Sequence, residues 1–443
     1  MRSCLLIVGG MLFAAVPAMA QAPADLSSSV QAQLPELTET YKHLHRNPEL
    51  SHHEEQTSAY LAGELRKLGY MVTEHVGNYE DGAHAYGIVA VLENGAGPRL
   101  LIRTDMDALP VEEKTGLDYA STVKTTNAQG QNVGVMHACG HDIHMTVLLG
   151  TAREMAARKS KWHGTLMLIG QPSEETIDGA KAMMEDRLYE RFGKPDYVLA
   201  EHDTNEFAAG TIAVKAGPLL AGATSVNVVI RGVGSHGSAP QAGKDPIVLS
   251  AEFILAAQTI VSRQMDPQIP AVVTVGTIHG GTKNNIIPEE VTMGLSLRSF
   301  SDEVRAKMVS ELDREAKGLA EGYGIPADRM PTVKVFENTP ATINDPGLNA
   351  KIRASGEAAL GKENVFDARP VMGSEDVGQF SQGGTIPAVM FWLGAADSQK
   401  LAESKKSGVS LPMQHSPLFA PVYEPTIRTG VTAVTAMALD ILR

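Results

Sequence analysis

The chain of 443 residues has only two cysteines, Cys4 and Cys139. Cys4 falls in an N-terminal stretch that reads as a leader, so the mature protein keeps one thiol and an internal disulfide framework is excluded. Basic charge is also short: 38 Lys and Arg stand against 51 Asp and Glu, for a net charge of −13. An acidic surface repels phosphate backbones, which argues against nucleic-acid binding. No apolar run of membrane-spanning length follows the first twenty residues. Several catalytic signatures are missing as well. There is no His-Glu-x-x-His or its inverse, no P-loop and no Gly-x-Ser-x-Gly. Helix-borne zinc protease chemistry, phosphate chemistry and nucleophile-elbow hydrolysis therefore lack support.

What is present begins with an address. Arg2 supplies a positive start, Leu5 to Val16 an apolar stretch too short to span a bilayer, and Ala18-Met19-Ala20 a small-residue cleavage site. Residues 1–20 are expected to be a signal peptide, and the mature protein to be exported, periplasmic or secreted, without membrane attachment. A hydrophobic content of 43% with 20% charged residues is that of a globular protein, which excludes disorder of the whole chain. An exported lone thiol calls for an explanation, and metal binding is a good candidate.

From Ala22 to Ser29 the chain reads as a polar tail. Leu34–Leu44 and Glu54–Leu68 read as helices. Short aliphatic runs then alternate with helical ones: Gly87–Leu92, Leu100–Arg103, a helix over Asp142–Arg158, Thr165–Ile169 and Tyr197–Ala200. That alternation predicts an α/β fold, a central sheet with helices on both faces. The rhythm changes in the middle. Strand Ser225–Arg231, helix Asp245–Gln264, strands Val272–Ile278 and Val291–Phe300, helix Asp302–Tyr323 and strand Thr332–Phe336 give β-α-β-β-α-β, the order of a ferredoxin-like domain. The expected organisation is a catalytic α/β domain in two parts, 21–218 and 339–443, interrupted by an α+β insertion over 219–338.

Polar residues gather where predicted strands end. Leu100–Arg103 runs into Asp105-Met-Asp107, Thr165–Ile169 into Glu174-Glu175, and Tyr197–Ala200 into Glu201-His202-Asp203. Ligands of open α/β sheets sit beyond those ends, so these side chains can converge. His137-Ala-Cys-Gly-His-Asp-Ile-His144 is the densest run of metal-ligand types in the chain, and it holds the lone thiol of the mature protein. Thiolate, imidazole and carboxylate together suit a zinc-like ion. In Glu174-Glu175 one carboxylate can bind metal while its neighbour moves a proton. Taken alone, the pair reads more readily as a solvated acidic turn, and His202 as a structural histidine.

The motifs together carry a resemblance. His45-Arg-Asn-Pro-Glu-Leu50, Arg103-Thr-Asp-Met-Asp-Ala-Leu-Pro110, Met136-His-Ala-Cys-Gly-His-Asp142 and Gln171-Pro-Ser-Glu-Glu175 occur in order, followed by Gly280-Gly-Thr-Lys-Asn-Asn-Ile-Ile-Pro288, Gly373-Ser-Glu-Asp376 and His415-Ser-Pro417. The chain resembles the M20 metallopeptidases, in the branch of aminoacylase-like and hippurate-hydrolase-like amidohydrolases that includes indole-acetyl-amino-acid hydrolases. The resemblance implies a zinc-exopeptidase-like mixed sheet with a lid that closes about residues 218–222 and 338–342 and mediates a homodimer. It implies two divalent metal ions, zinc foremost, with manganese, cobalt or nickel as alternatives, held by Cys139, His141, Glu175, His202 and His415. By the same likeness Glu174 is the general base and acid, Asp107 orients the centre, His236 steadies the developing oxyanion, and Asn285 and Arg298 grip the substrate. Gln241, Lys283-Asn284 and Val377-Gly-Gln379 depart from the family pattern without touching an implied ligand. The expected activity is hydrolysis of the amide bond of an N-acyl amino acid. A carboxypeptidase or dipeptidase acting on short peptides is the alternative, and a non-catalytic metal-containing binding protein a more distant one.

Overall fold

In the computed structural model, which describes residues 24–127 and 129–443, an eight-stranded mixed sheet forms the centre of the larger body. The leader expected over residues 1–20 lies outside the described residues. Four strands run parallel side by side: Gly164–Gln171, Arg99–Asp105, Tyr197–Ala208 and Ala388–Ala396. His84–Asn94 and then Met71–Asn78 extend one side antiparallel. Ile212–Val214 and Val365–Asp367 extend the other.

Successive side chains on a strand face opposite ways, so a continuous apolar strand fills two cores. Leu100, Ile102, Leu166, Leu168, Leu199 and Phe391 enter one core, and Leu101, Met167, Ile169, Val198 and Met390 the other. Helices His141–Ala157 and Tyr423–Ile441 cover the first, and the short helices Gly179–Glu185 and Leu188–Phe192 the second. The first helix is longer than the sequence suggests. It spans Ala24–Arg46, straight through Pro35, and absorbs most of the segment read as a polar tail. Leu26, Val30, Leu34, Leu37, Tyr41 and Leu44 are buried at helical spacing along it, and that stripe outweighs the proline.

A second sheet of four antiparallel strands orders Ala271–Gly280, Glu290–Ser299, Gly222–Arg231 and Thr332–Thr339 side by side, the ferredoxin-like arrangement. Its helices Pro246–Thr259 and Asp302–Gly322 pack on one face through Leu249, Phe253, Met308 and Leu312. Asp245 caps the first of these by accepting from Ile247 N, with Pro246 in the position where a missing N–H costs nothing. The stretch Pro246–Gln264 is long and apolar enough to cross a membrane by length and composition, which the sequence reading overlooked. Here it is seated on the sheet by Leu249, Phe253, Ala257 and Ile260, while Ile247, Val248 and Leu255 stay exposed. The other face of the sheet, with Ser225, Ser296, Arg298 and Glu337, looks onto a cleft against the larger body.

His45 ties the end of the first helix to the site region. It is buried, with Nδ1 2.6 Å from Asp142 Oδ2 and Nε2 3.2 Å from Glu113 Oε1. Burial opposes its charge, but the bonds to Asp142 and Glu113 outweigh it and raise the pKa from 6.5 to about 9. A pKa raised by folding gives stability that is fully present below the unfolded value of 6.5 and lost as pH climbs through about 9. The stability gap between the wild type and His45→Gln, read by urea denaturation, is therefore expected to be widest near pH 6, on the order of 3 kcal/mol, and to close above pH 9. A gap that does not change with pH would show that the imidazolium is not the source.

Candidate metal centre

The site lies at the carboxyl end of the parallel strands, where open α/β sheets place their crevice. Arg99–Asp105 leads into Asp107, Gly164–Gln171 leads into the turn with Glu174 and Glu175, and Tyr197–Ala208 carries His202. Cys139 and His141 sit where a loop enters the helix His141–Ala157. Gly140 makes that entry possible. Its φ is +86°, and a Cβ there would strike the Asp203 carboxylate. His415 comes from the loop before the last helix, anchored by its N–H on Ala138 O at 2.7 Å.

Five donors converge. Cys139 Sγ lies 3.5 Å from His202 Nε2 and 3.5 Å from His415 Nε2. His415 Nε2 is 3.4 Å from Glu175 Oε2, and His141 Nε2 is 3.9 Å from Glu175 Oε1. Two of the rings are oriented by the backbone. His141 Nδ1 donates to Asp107 O and His202 Nδ1 to Asp203 O, each at 2.8 Å. Such a bond fixes the tautomer and leaves Nε2 as the free ligand nitrogen. His141 Nε2 and Glu175 Oε1 are buried with no hydrogen-bond partner.

Asp107 organises the turn from beneath. Its Oδ1 accepts from Glu174 N at 3.1 Å, and its Oδ2 from Glu175 N at 3.0 Å and Ser51 Oγ at 2.6 Å. Burial works against its charge, but the bonds from His141, Ser51 and Glu175 N hold its carboxyl below the usual range. Residues without an assigned role in the sequence reading form the floor. Arg103, fully buried, donates to Asp105 at 2.7 Å, Glu375 at 2.6 Å and Gln171 at 2.7 Å. His144 meets Asp105 Oδ1 at 2.6 Å through Nδ1 and accepts from Asp203 N at 2.9 Å through Nε2, so neither nitrogen is free to ligate. Charged side chains under a predicted pocket were the available signal, but nothing in the sequence pairs them.

The electrostatics fit a cation. Burial, reinforced by Glu375, Glu175, Asp376 and Asp107, lifts the Glu174 carboxyl well above the carboxylate range. Burial first, with Asp107 adding to it against His141, brings Glu175 up to about 7. Burial and the charges of Glu175 and Glu174 push up the Cys139 thiol. Thiol, imidazole and carboxylate donors crowded together, two of their atoms orphaned, suit a thiophilic divalent ion. Glu174 borders the five and groups with the carboxylates of Glu375 and Asp376. Its Oε2 is 3.7 Å from His141 Nε2, and its carboxyl has no hydrogen-bond donor among the described residues.

The remaining expected residues lie on the second sheet's side. Arg298 lines the cleft of about 400 Å³ with Tyr79, Thr176 and Phe336, and donates to Ser374 Oγ at 2.5 Å. It has no carboxylate partner among the described residues, and burial lowers its pKa. His236 and Asn285 are exposed neighbours, joined by Gly237 N donating to Asn285 O at 2.8 Å. The His236 ring is bonded to Ser238 at 2.7 Å. Among the described residues neither touches the five donors, so the structure gathers the donors, Glu174 and Asp107 and keeps His236 and Asn285 apart from them.

A cage of metal donors beside a free carboxyl, at the crevice of an α/β sheet, defines a metallohydrolase. The chain belongs to the peptidase family M20/M25/M40, whose model matches residues 101–414. It is 35% identical over 399 residues to thermostable carboxypeptidase 2 of Saccharolobus solfataricus, covering 89% of this chain and 93% of that one. It is 36% identical over 343 residues to hippurate hydrolase of Campylobacter jejuni, covering 76% and 83%. Among solved structures it is similar to a dinuclear metal-binding M20 peptidase of Bacillus subtilis, with a TM-score of 0.74, 27% identity and coverage of 93% of this chain and 99% of the other. The protein is an enzyme of metal-dependent amide hydrolysis.

Because Asp107 holds the turn through two backbone N–H groups, Asp107→Asn turns one acceptor into a donor facing a donor. Competition with a chelator is expected to show metal affinity reduced by about 10–100-fold. Unchanged affinity would show that Asp107 does not order the ligands.

Proposed function

We propose that the enzyme cleaves the amide bond of N-acyl amino acids, with Glu174 as general base and acid. The observation that carries this reading is the division within one turn: Glu175 joins the donor cluster while Glu174, one residue away, keeps an unbonded carboxyl beside it. A binding protein has no use for that free carboxyl. Cys139, His141, Glu175, His202 and His415 would hold two divalent ions, since five donors exceed what one tetrahedral ion takes. Bound ions supply a Lewis acid for the amide oxygen and lower the pKa of the attacking water. Glu174 takes the proton of that water and returns it to the departing nitrogen. The thiolate favours zinc over manganese, cobalt or nickel.

Arg298 supports a substrate with a free carboxylate, because its guanidinium faces the cleft without an acidic partner. His236 and Asn285 serve the substrate once the lid has closed. The two chain crossings into the lid run side by side, with Gly217–Leu220 paired to Thr342–Asn344, a suitable place for a hinge. The exposed Ile247, Val248 and Leu255 on the lid helix support a homodimer through that face. The leader-like first twenty residues support export.

A short-peptide carboxypeptidase is the second reading, favoured by the same Arg298, since a peptide C-terminus offers the same carboxylate. A panel of N-acyl amino acids, dipeptides and their C-terminal amides, given to apoprotein reloaded with each metal, ranks the two. Faster release from acyl conjugates is expected, with the amides poor. Preference for dipeptides would select the peptidase, and silence with every metal would overturn both. Glu174→Ala is expected to lose about 10²–10⁴-fold in kcat while keeping its metal. Near-normal turnover would remove Glu174 from its role.

A further inference from the structure

The turn that carries Glu174 is held from a second direction. Glu54, the residue before helix Glu55–Lys67, is fully buried. Its Oε1 accepts from Ser173 N at 2.7 Å, Ser173 Oγ at 3.0 Å and His52 N at 3.1 Å. Ser173 Oγ in turn accepts from His52 N at 2.9 Å and meets Tyr79 OH at 2.6 Å. Ser173 has φ +52°, the left-handed region, which a serine keeps only when its surroundings over-determine it. With Asp107 accepting from the next two residues, the three consecutive N–H groups of 173, 174 and 175 all end on buried carboxylates.

Asp107 fixes Glu174 and Glu175 together, whereas Glu54 fixes the residue at which the chain reverses. That residue sets the direction in which Glu174 leaves the backbone. We propose that Glu54 is a positioning residue for amide hydrolysis, holding Ser173 left-handed so that the Glu174 carboxyl is aimed at the reacting water. The inference rests on the reading of Glu174 as general base. Glu54 Oε2 makes no hydrogen bond, so the role demands an acceptor at the right reach and not a charge.

Three variants separate reach from charge. Glu54→Gln keeps the length and the acceptor, Glu54→Asp keeps the charge but withdraws it by one methylene, and Glu54→Ala removes both. Each is assayed for kcat and KM per metal-loaded chain, for metal content, and for amide hydrogen exchange in the peptide spanning Ser173. Glu54→Asp and Glu54→Ala are expected to lose about 10–100-fold in kcat, as a misplaced catalytic group does. KM and metal content should stay near wild type, and exchange at the turn should speed up. Glu54→Gln should restore both kcat and protection. If Glu54→Ala does not fold, the contrast between Asp and Gln carries the same test. A ranking with Asp above Gln, unchanged kcat in all three, or loss of metal as the primary defect overturns the proposal. Glu174→Gln assayed alongside separates the two readings. If that variant stays active, the general-base assignment has failed. If it is inactive while the Glu54 series is unaffected, only the positioning role has failed.

Discussion

Arg103 lies beneath the metal centre with none of its guanidinium exposed, facing Asp105, Glu375 and Asp376 at 2.7, 2.6 and 3.2 Å. A buried charge without compensation costs several kcal/mol, so acids in this region require a partner. Arg103 satisfies the lower tier and His144 adds to it by bonding Asp105. Among the described residues the upper tier of Cys139, Glu174 and Glu175 gains less, from His141 on Glu175 and from Arg103 on Glu174 without an ion pair. Burial first, and then the mutual repulsion of these acids, outweigh that compensation, so the Glu174, Glu175 and Cys139 acids are all displaced upward and hold their protons more tightly. A bound divalent ion replaces those protons, so metal binding, local stability and the charge state of the site are one linked equilibrium.

Residue type does not decide role in this centre; the hydrogen-bond partner does. His141, His144 and His202 are all buried histidines within one small region. His141 and His202 each give Nδ1 to a backbone carbonyl and keep Nε2 for a ligand. His144 has both nitrogens engaged and becomes a strut between Asp105 and Asp203. The same logic divides Glu174 from Glu175. Their backbone N–H groups share one acceptor, Asp107, so their side chains leave a fixed turn toward different surroundings.

Legibility in the sequence followed locality. The run from His137 to His144 is visible because its ligands are contiguous, and strands such as Leu100–Arg103 are visible because burial on both faces makes them continuously apolar. Met71–Asn78 escaped, because an edge strand only partly buried along most of its length keeps polar residues such as Thr73 and Glu74. Ile212–Val214 and Val365–Asp367 are three residues each and carry no usable period. The helical start at Ala24 was hidden by Pro35, whose local cost is overridden by packing on the core. Glu54, Arg103 and Glu375 could be read as polar side chains but not as partners, since their contacts span 119 and 272 positions. Long-range pairing of charges leaves no periodic trace, and only the family likeness tied His202 and His415 to Cys139.

The exposure of the five donors gives the centre a direction. His141 is fully buried and Cys139 is 7% exposed, while the His415 side chain is 60% exposed. The donor set is closed on the sheet side and open on the side of His415. Catalytic metal centres keep such an open position, in contrast to structural ones. Substrate must therefore approach from the solvent side, opposite the floor of Arg103. Arg298 stands on the open face of the second sheet and reaches across to Ser374, one residue from Glu375 in that floor. A substrate carboxylate taken by Arg298 would thus be registered against both bodies at once, and movement of the lid would carry its bond toward or away from Glu174. His236 and Asn285 lie on a two-stranded ribbon that continues Gly222–Arg231 and leads into Glu290–Ser299, the strand that bears Arg298, so a rigid movement of that body would carry all three polar groups together.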